Sequence, residues 1–185
     1  MPHLFLLTGA SGAGKSSILK ALLQDTNLSL ERFITTTTRN MRPGEVDGKD
    51  YWFVSREKFI RERDKGSFFE WAEVYGNFYG SHKQEFTRIH TNGFNKIMTI
   101  DVQGAETLKR ENPEVITIFI DAPPEEMRER IRERGTSEQD LVSRIEAVNQ
   151  ERAYKDKADY VVSNSHGKLD KAIKETKIII RSYFV

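Results

Sequence analysis

Apolar residues along this chain fall into short unbroken runs, separated by stretches in which they recur every three or four positions. Leu4–Leu7, Ile97–Ile100, Val115–Ile120 and Tyr160–Val162 are runs of the first kind. They are rich in β-branched types, as strands of a parallel sheet buried on both faces are. The intervening stretches have the helical period and predict helices over Gly14–Asp25, Ser81–Thr91, Gln103–Glu111, Pro124–Arg134, Ser137–Tyr154 and Leu169–Ser182. Gly93 and Gly135 stand where helix C-caps belong, and Pro124 suits a first helical turn. Strands that alternate with helices predict a layered α/β fold.

Between Phe33 and Gly80 the pattern changes. Phe33–Thr38, Asp50–Val54, Phe68–Tyr75 and Asn77–Tyr79 alternate in polarity or carry aromatics, with Arg42-Pro43-Gly44 as a turn and one helix near Arg56–Lys65. This reads as a small mixed insertion with antiparallel pairing. The stretch Glu125–Tyr154 is highly charged and poor in core residues, which predicts a mobile helical pair outside the main sheet. The resulting division is a core of 1–32, 81–124 and 155–185, an insertion of 33–80 and a lid of 125–154, all within one compact unit of 185 residues.

Composition narrows the class of protein. Lys and Arg total 29 against 28 Asp and Glu, a net charge of +1, which argues against a nucleic-acid or membrane-surface partner. Cysteine is absent and the four histidines, His3, His82, His90 and His166, are scattered, so neither disulfides nor a thiolate or histidine metal cluster is expected. Any metal should be a hard ion that arrives with phosphate. The chain opens directly into strand and loop, and no stretch approaches the ~18 apolar residues of a membrane span, so the expectation is a soluble, cytoplasmic protein.

The chemistry begins at Gly9-Ala10-Ser11-Gly12-Ala13-Gly14-Lys15-Ser16, which fits G-x-x-x-x-G-K-[ST] between a buried-type strand and a helical pattern. Glycines let the backbone turn tightly and aim N–H groups at an anion, and the following helix adds its positive dipole end. Lys15 then supplies a mobile charge for β- and γ-phosphates, Ser16 a hydroxyl for Mg²⁺, and Ser17 continues the loop into the helix. GTPases, motor ATPases and small-molecule kinases all use such a loop, so the second substrate has to be read elsewhere.

Arg39 and Arg42 flank a turn, with Tyr51 following. Two guanidiniums and a phenol make a cradle for a monophosphate, and a solvated turn with surface arginines has the same spacing. Glu70 lies among aromatics in Phe69-Glu70-Trp71, near Tyr79-Gly80-Ser81, and Asp101 ends a buried strand in Ile100-Asp101-Val102. Ligands of open α/β sheets sit at that end of the strands. Guanine presents N1–H and N2–H₂ donors that carboxylates accept, whereas adenine N1 would be repelled. Asp101 has a second reading as an Mg²⁺ residue, and Glu70 as a half-exposed strand carboxylate. Arg130 and Arg134 share a helix face with Glu126, which describes a self-paired solvated helix or one that carries guanidiniums to a transferring phosphoryl group, with Arg144 joining from the next helix.

Taken together, GASGAGKS, TTTTRNMRPGEVDGKDYWF, FFEWAEVYGNFYGS, IDVQGA, IFIDAPP, RERIRERGT and the late Asn164 resemble guanylate kinase along nearly the whole chain. The resemblance implies a parallel five-stranded P-loop kinase core, a GMP-binding insertion, a helical arginine-bearing lid, and Mg²⁺-dependent phosphoryl transfer from ATP to GMP. It further implies that Arg39, Arg42, Tyr51 and Tyr79 hold the GMP phosphate, and that Thr35, Glu70, Ser81 and Asp101 read or orient guanine. Lys15, Ser16, Arg130, Arg134 and Arg144 would serve ATP, Mg²⁺ and the transition state, with Asn164 near adenine. The expected partners are these two small molecules, with the chain a monomer or weak homo-oligomer. The sequence departs from the family pattern at Thr35, where serine is common, at Met41, where proline is common, and at Thr99, where an acid usually stands on the same strand face as Asp101. The lid is also one residue shorter before Arg144, and two residues are added after Asn164.

Overall fold

A computed structural model describes residues 2–74, 76–85, 87, 94–133, 148 and 150–184. Five strands form the main sheet: β1 (Leu4–Thr8), β2 (Leu30–Arg32), β7 (Asn95–Thr99), β8 (Ile116–Asp121) and β9 (Tyr160–Ser163), in the order β2-β7-β1-β8-β9 with every pair parallel. All five residues of β1 are buried, because helices cover both of its faces. The strand period divides it: Phe5 and Leu7 join Ile118, Ile120 and the apolar faces of α1 (Lys15–Leu23) and α5 (Leu169–Arg181). Leu4 and Leu6 point the other way, into a second cluster with Met98, Phe119 and the Ala105 and Leu108 face of α3 (Val102–Glu111).

The insertion builds its own four-stranded sheet from β3 (Thr36–Thr37), β4 (Trp52–Phe53), β5 (Phe68–Val74) and β6 (Asn77–His82), in the order β4-β3-β6-β5. The pairings of β5 and β3 with β6 are antiparallel as expected, but β3 and β4 run parallel, which corrects the fully antiparallel expectation. The connection from β3 to β4 is too long for a hairpin and returns the chain in the same direction, through a turn closed by Glu45 N–H to Arg42 O at 3.1 Å. Helix α2 (Arg56–Asp64) is capped by Ser55, whose hydroxyl accepts from Lys58 N at 3.2 Å. It sets Phe59 against Phe68 and Phe78, with ring centroids 4.4 and 5.2 Å away, and this gives the insertion a small core of its own.

Other boundaries differ from the expectations for physical reasons. Ser81 and His82 belong to β6, so the helix expected from Ser81 starts at residue 83. Strand β2 went unread because Leu30-Glu31-Arg32 has no apolar run; it is an edge strand held by pairing with β7, with Glu31 meeting the buried Lys96. Helix α4 (Pro124–Glu133) buries Met127 and Ile131, while Val148 and Tyr154 are buried beyond it. Gly93, Gly135, Arg134, Arg144 and most of the Ser137–Tyr154 helix lie outside the described residues.

Candidate active site

The functional residues gather at the C-terminal ends of β1, β7, β8 and β9, beside the point where the sheet order reverses around β1. From Thr8 the chain enters the phosphate loop, where Gly9 has φ of 133° and Gly14 of 96°, values that side-chain-bearing residues rarely adopt. Packing adds a second requirement: a Cβ at Gly9 would come within 2.3 Å of Ile120 O, and one at Gly14 within 2.2 Å of Asn164 Nδ2. The loop thus lies flat against β8 and the end of β9, with its outer rim facing a cleft. Lys15 lies over that rim, its Nζ donating to Gly9 O and, at 3.0 Å, to Ala10 O.

One cleft joins this loop to the insertion. Gly9, Ser11, Lys15 and Ser16 line one side, and Thr35, Arg42, Tyr51, Glu70 and Tyr79 the other. Thr99, the last residue of β7, and Asp101, just beyond it, also line the cleft. Asp101 is the N-cap of α3, its Oδ1 accepting from Gly104 N at 3.0 Å, so the helix terminus fixes the position of the carboxylate.

Glu70 is buried, 5% exposed, rather than half-exposed. Its Oε1 accepts a 2.6 Å hydrogen bond from Ser81 Oγ. Ser81 does not line the cleft and acts on it through Glu70. Burial pushes the Glu70 carboxyl up to about 7; the Ser81 hydrogen bond opposes that shift and the nearby Asp101 charge adds to it. The folded-state pKa lies above the ordinary 4.5, so the protonated form favours folding. That contribution is fully present below pH 4.5 and is lost as pH rises through 7. Glu70→Gln, which keeps an acceptor for Ser81, should therefore match the parent in stability near pH 4.5 and exceed it by about 1–3 kcal/mol at pH 8. Chemical denaturation at the two pH values checks this; a variant no more stable than the parent at pH 8 would mean that Glu70 carries no burial penalty.

Of the proposed phosphate cradle, Arg42, Tyr51 and Tyr79 reach the cleft, with the two phenol rings 6.2 Å apart. Burial, with Tyr51 close by, raises the Tyr79 pKa and keeps its hydroxyl a donor. Arg39 stacks over Tyr51 at 5.5 Å, but its guanidinium is not in the cleft wall. Its Nη2 holds both oxygens of Glu45 at 2.7 and 2.9 Å, and Glu45 also accepts from Arg42 N at 2.7 Å. Burial works against the Arg39 charge, and Glu45 more than offsets it. Glu45 escaped the sequence reading because it looked like part of the turn.

A second cleft, behind the loop, is lined by Gly14, Ser17, Arg130 and Asn164, with Ser165 and His166 alongside. Asn164 is buried and donates from Nδ2 to Ala13 O at 2.7 Å, so it braces the loop from below. Arg130 pairs with Glu126 at 3.0 Å, as the helical spacing predicted, and donates to Asn164 O at 3.0 Å and Gly12 O at 3.3 Å. The Arg130 guanidinium therefore lies against the phosphate loop as well as against Glu126. Ala10, Gly12 and Ala13 are buried within the loop.

Two features went unforeseen. Asp121, at the end of β8, accepts from Arg152 Nε at 3.0 Å, Arg152 Nη2 at 3.2 Å and Lys155 Nζ at 3.0 Å. These cations outweigh burial and hold its pKa below the usual range. A strand-end acid was the available signal, the same one that marked Asp101. Glu151 joins the first cleft, and its place in a charged helical run gave no signal at all.

Comparison with known proteins bears on this geometry. A family model described as guanylate kinase matches residues 1–183. A guanylate kinase of Caldanaerobacter subterraneus subsp. tengcongensis is 41% identical over 179 residues, covering 96% of this chain and 85% of that protein. One from Thermotoga maritima is 39% identical over 184 residues, covering 97% and 86%. Among solved structures, guanylate kinase from Anaplasma phagocytophilum superposes with a TM-score of 0.79 at 30% identity, over 98% of this chain and 85% of that one. Shikimate kinase from Bacteroides thetaiotaomicron, at 16% identity and a TM-score of 0.53 over 97% and 98% of the two chains, shares the fold.

Proposed function

Since the chain belongs to the guanylate kinase family and is an ATP:GMP phosphotransferase, we propose that the loop and the cleft behind it hold ATP while the insertion side of the first cleft holds GMP. The observation that carries this is the single cleft in which Ser11, Lys15 and Ser16 face Arg42, Glu70 and Tyr79, because in-line transfer needs donor and acceptor phosphates side by side. Gly9 to Ser17 wrap the triphosphate, Asn164 and Ser17 border the nucleoside end, and Arg130 stands over the loop at Gly12. Arg42, Tyr51 and Tyr79 bind the GMP phosphate, with Arg39 released from Glu45 to join them. Thr35, Glu70 and Asp101 face guanine, and Ser81 positions Glu70.

No group of three or more acids or histidines suited to a metal occurs among the described residues. Ser16 and Asp101, both hard oxygen donors in the cleft, are the residues to hold Mg²⁺, directly or through water. Bound there, the ion would supply charge neutralisation of the phosphates. The protein's own part is positioning, cationic stabilisation from Lys15 and Arg130, and exclusion of water once core, insertion 33–80 and lid 125–154 close together. We extend the same charge-stabilising role to Arg134 and Arg144. Among the described residues no helix is long and apolar enough to cross a membrane, and we place the enzyme in the cytoplasm with its two substrates.

Arg130 gives the sharpest local test, since it already touches Gly12 O. Arg130→Ala should lower kcat by roughly tenfold to a hundredfold while changing KM for GMP less than threefold, because the interaction strengthens in the transition state. Arg132→Ala, on the exposed face, should do little. Equal damage from both would mean that the catalytic face of α4 is misassigned.

A further inference from the structure

Glu151 has no role in the scheme above, yet its carboxylate stands at the phosphate loop. It is carried on the helical residues 150–152, and its Oε2 accepts from Ser11 N at 3.2 Å. It lines the same cleft as Lys15, Ser16 and Asp101. Backbone N–H groups of a phosphate loop are donors for phosphate oxygens, and a carboxylate oxygen is an acceptor of the same kind. The two compete for one donor. The placement is also enforced from the next residue, because Arg152 forks onto Asp121 at 3.0 and 3.2 Å and Lys155 adds a 3.0 Å contact. Asp121 ends β8, the strand beside β1, so this ion cluster pins the stem that bears Glu151 against the sheet at the mouth of the loop.

We infer that Glu151 is a built-in counter-anion of the phosphate loop, which competes with the terminal phosphates of the donor nucleotide and has to release Ser11 for them to bind. The inference rests on the assignment of ATP to the loop. A like charge a few ångströms from the terminal phosphates, in a partly solvated cleft, raises the concentration of ATP needed to fill the site. The loop is thereby held in shape by an acceptor of its own, and the binding of ATP becomes an exchange of one anion for another.

The test is the binding of ATP without GMP, by calorimetry, to the parent protein and to Glu151→Gln, Glu151→Ala and Glu129→Gln, each checked for its melting temperature. Glu129 is exposed on α4 and serves as a charge control. Glutamine keeps an oxygen that Ser11 N–H can reach, so Glu151→Gln tests the charge, and alanine tests the acceptor itself. Both Glu151 variants should bind ATP roughly three- to tenfold more tightly than the parent, and Glu129→Gln should match the parent. Unchanged or weaker binding in the Glu151 variants would overturn the inference, as would equal tightening in Glu129→Gln, which would make the effect one of general charge. A parent protein that binds no ATP would instead refute the donor assignment, and the inference with it.

Discussion

Lys15→Ala is expected to lower kcat by about two orders of magnitude or more while leaving the fold intact. The ammonium sits on the rim of the loop, bonded to Gly9 O and Ala10 O, and the side chain is only half-buried, so its loss opens no core cavity. With ATP in the loop as proposed, what disappears is a cation beside the oxygens that gain charge as the γ-phosphoryl group moves. Removing one such preorganised group costs on the order of 3–4 kcal/mol of transition-state stabilisation, which corresponds to roughly a hundred- to a thousandfold. Steady-state kinetics with saturating ATP and GMP, beside a thermal melt, check the prediction. A folded variant with a near-parental rate would remove the loop from catalysis as argued.

The second large effect is selectivity for guanine. Glu70 and Asp101 face the acceptor side of the cleft, and the elevated Glu70 pKa means that its charge is exposed to little solvent. In the proposed pose guanine N1–H and N2–H₂ add donors to the one that Ser81 already supplies, and in doing so draw the Glu70 pKa down. Adenine in the same pose sets a lone pair against it and leaves buried acceptors unpaired. Each lost pairing costs about 1–3 kcal/mol, so two together favour GMP over AMP by at least ~100-fold in kcat/KM. Glu70→Gln should reduce that ratio by roughly tenfold or more, since an amide turns either a donor or an acceptor to the base. Arg39→Ala should weaken both nucleotides alike. An unchanged ratio in Glu70→Gln would move base recognition to other residues.

The parts of this molecule that were legible in the sequence are those governed by local rules. The β1-loop-α1 unit is written in a run of five buried residues, glycines at positions that need positive φ, and the Lys-Ser that follows them. Arg130 and Glu126 were legible because helical spacing alone brings them together. Tertiary facts were not. Strand β2 is a strand only because β7 offers it an edge, and Leu30-Glu31-Arg32 carries no signal of its own. Whether Glu70 was half-exposed or buried depended on how β5 lies against β6 and α3, which no local pattern encodes. Arg39 looked free to meet a phosphate, and the structure gives it Glu45 as a partner six residues on. Glu151 meets Ser11 across 140 residues of sequence, and nothing in Val148-Asn149-Gln150-Glu151-Arg152 signals that contact.

Which nucleotide accepts the phosphoryl group is tested most directly by kcat/KM for GMP and for AMP, with ATP and Mg²⁺ held constant, on the unmodified protein. A cleft in which Glu70 and Asp101 meet the base predicts GMP ahead of AMP by at least ~100-fold. Comparable values for the two nucleotides would contradict it.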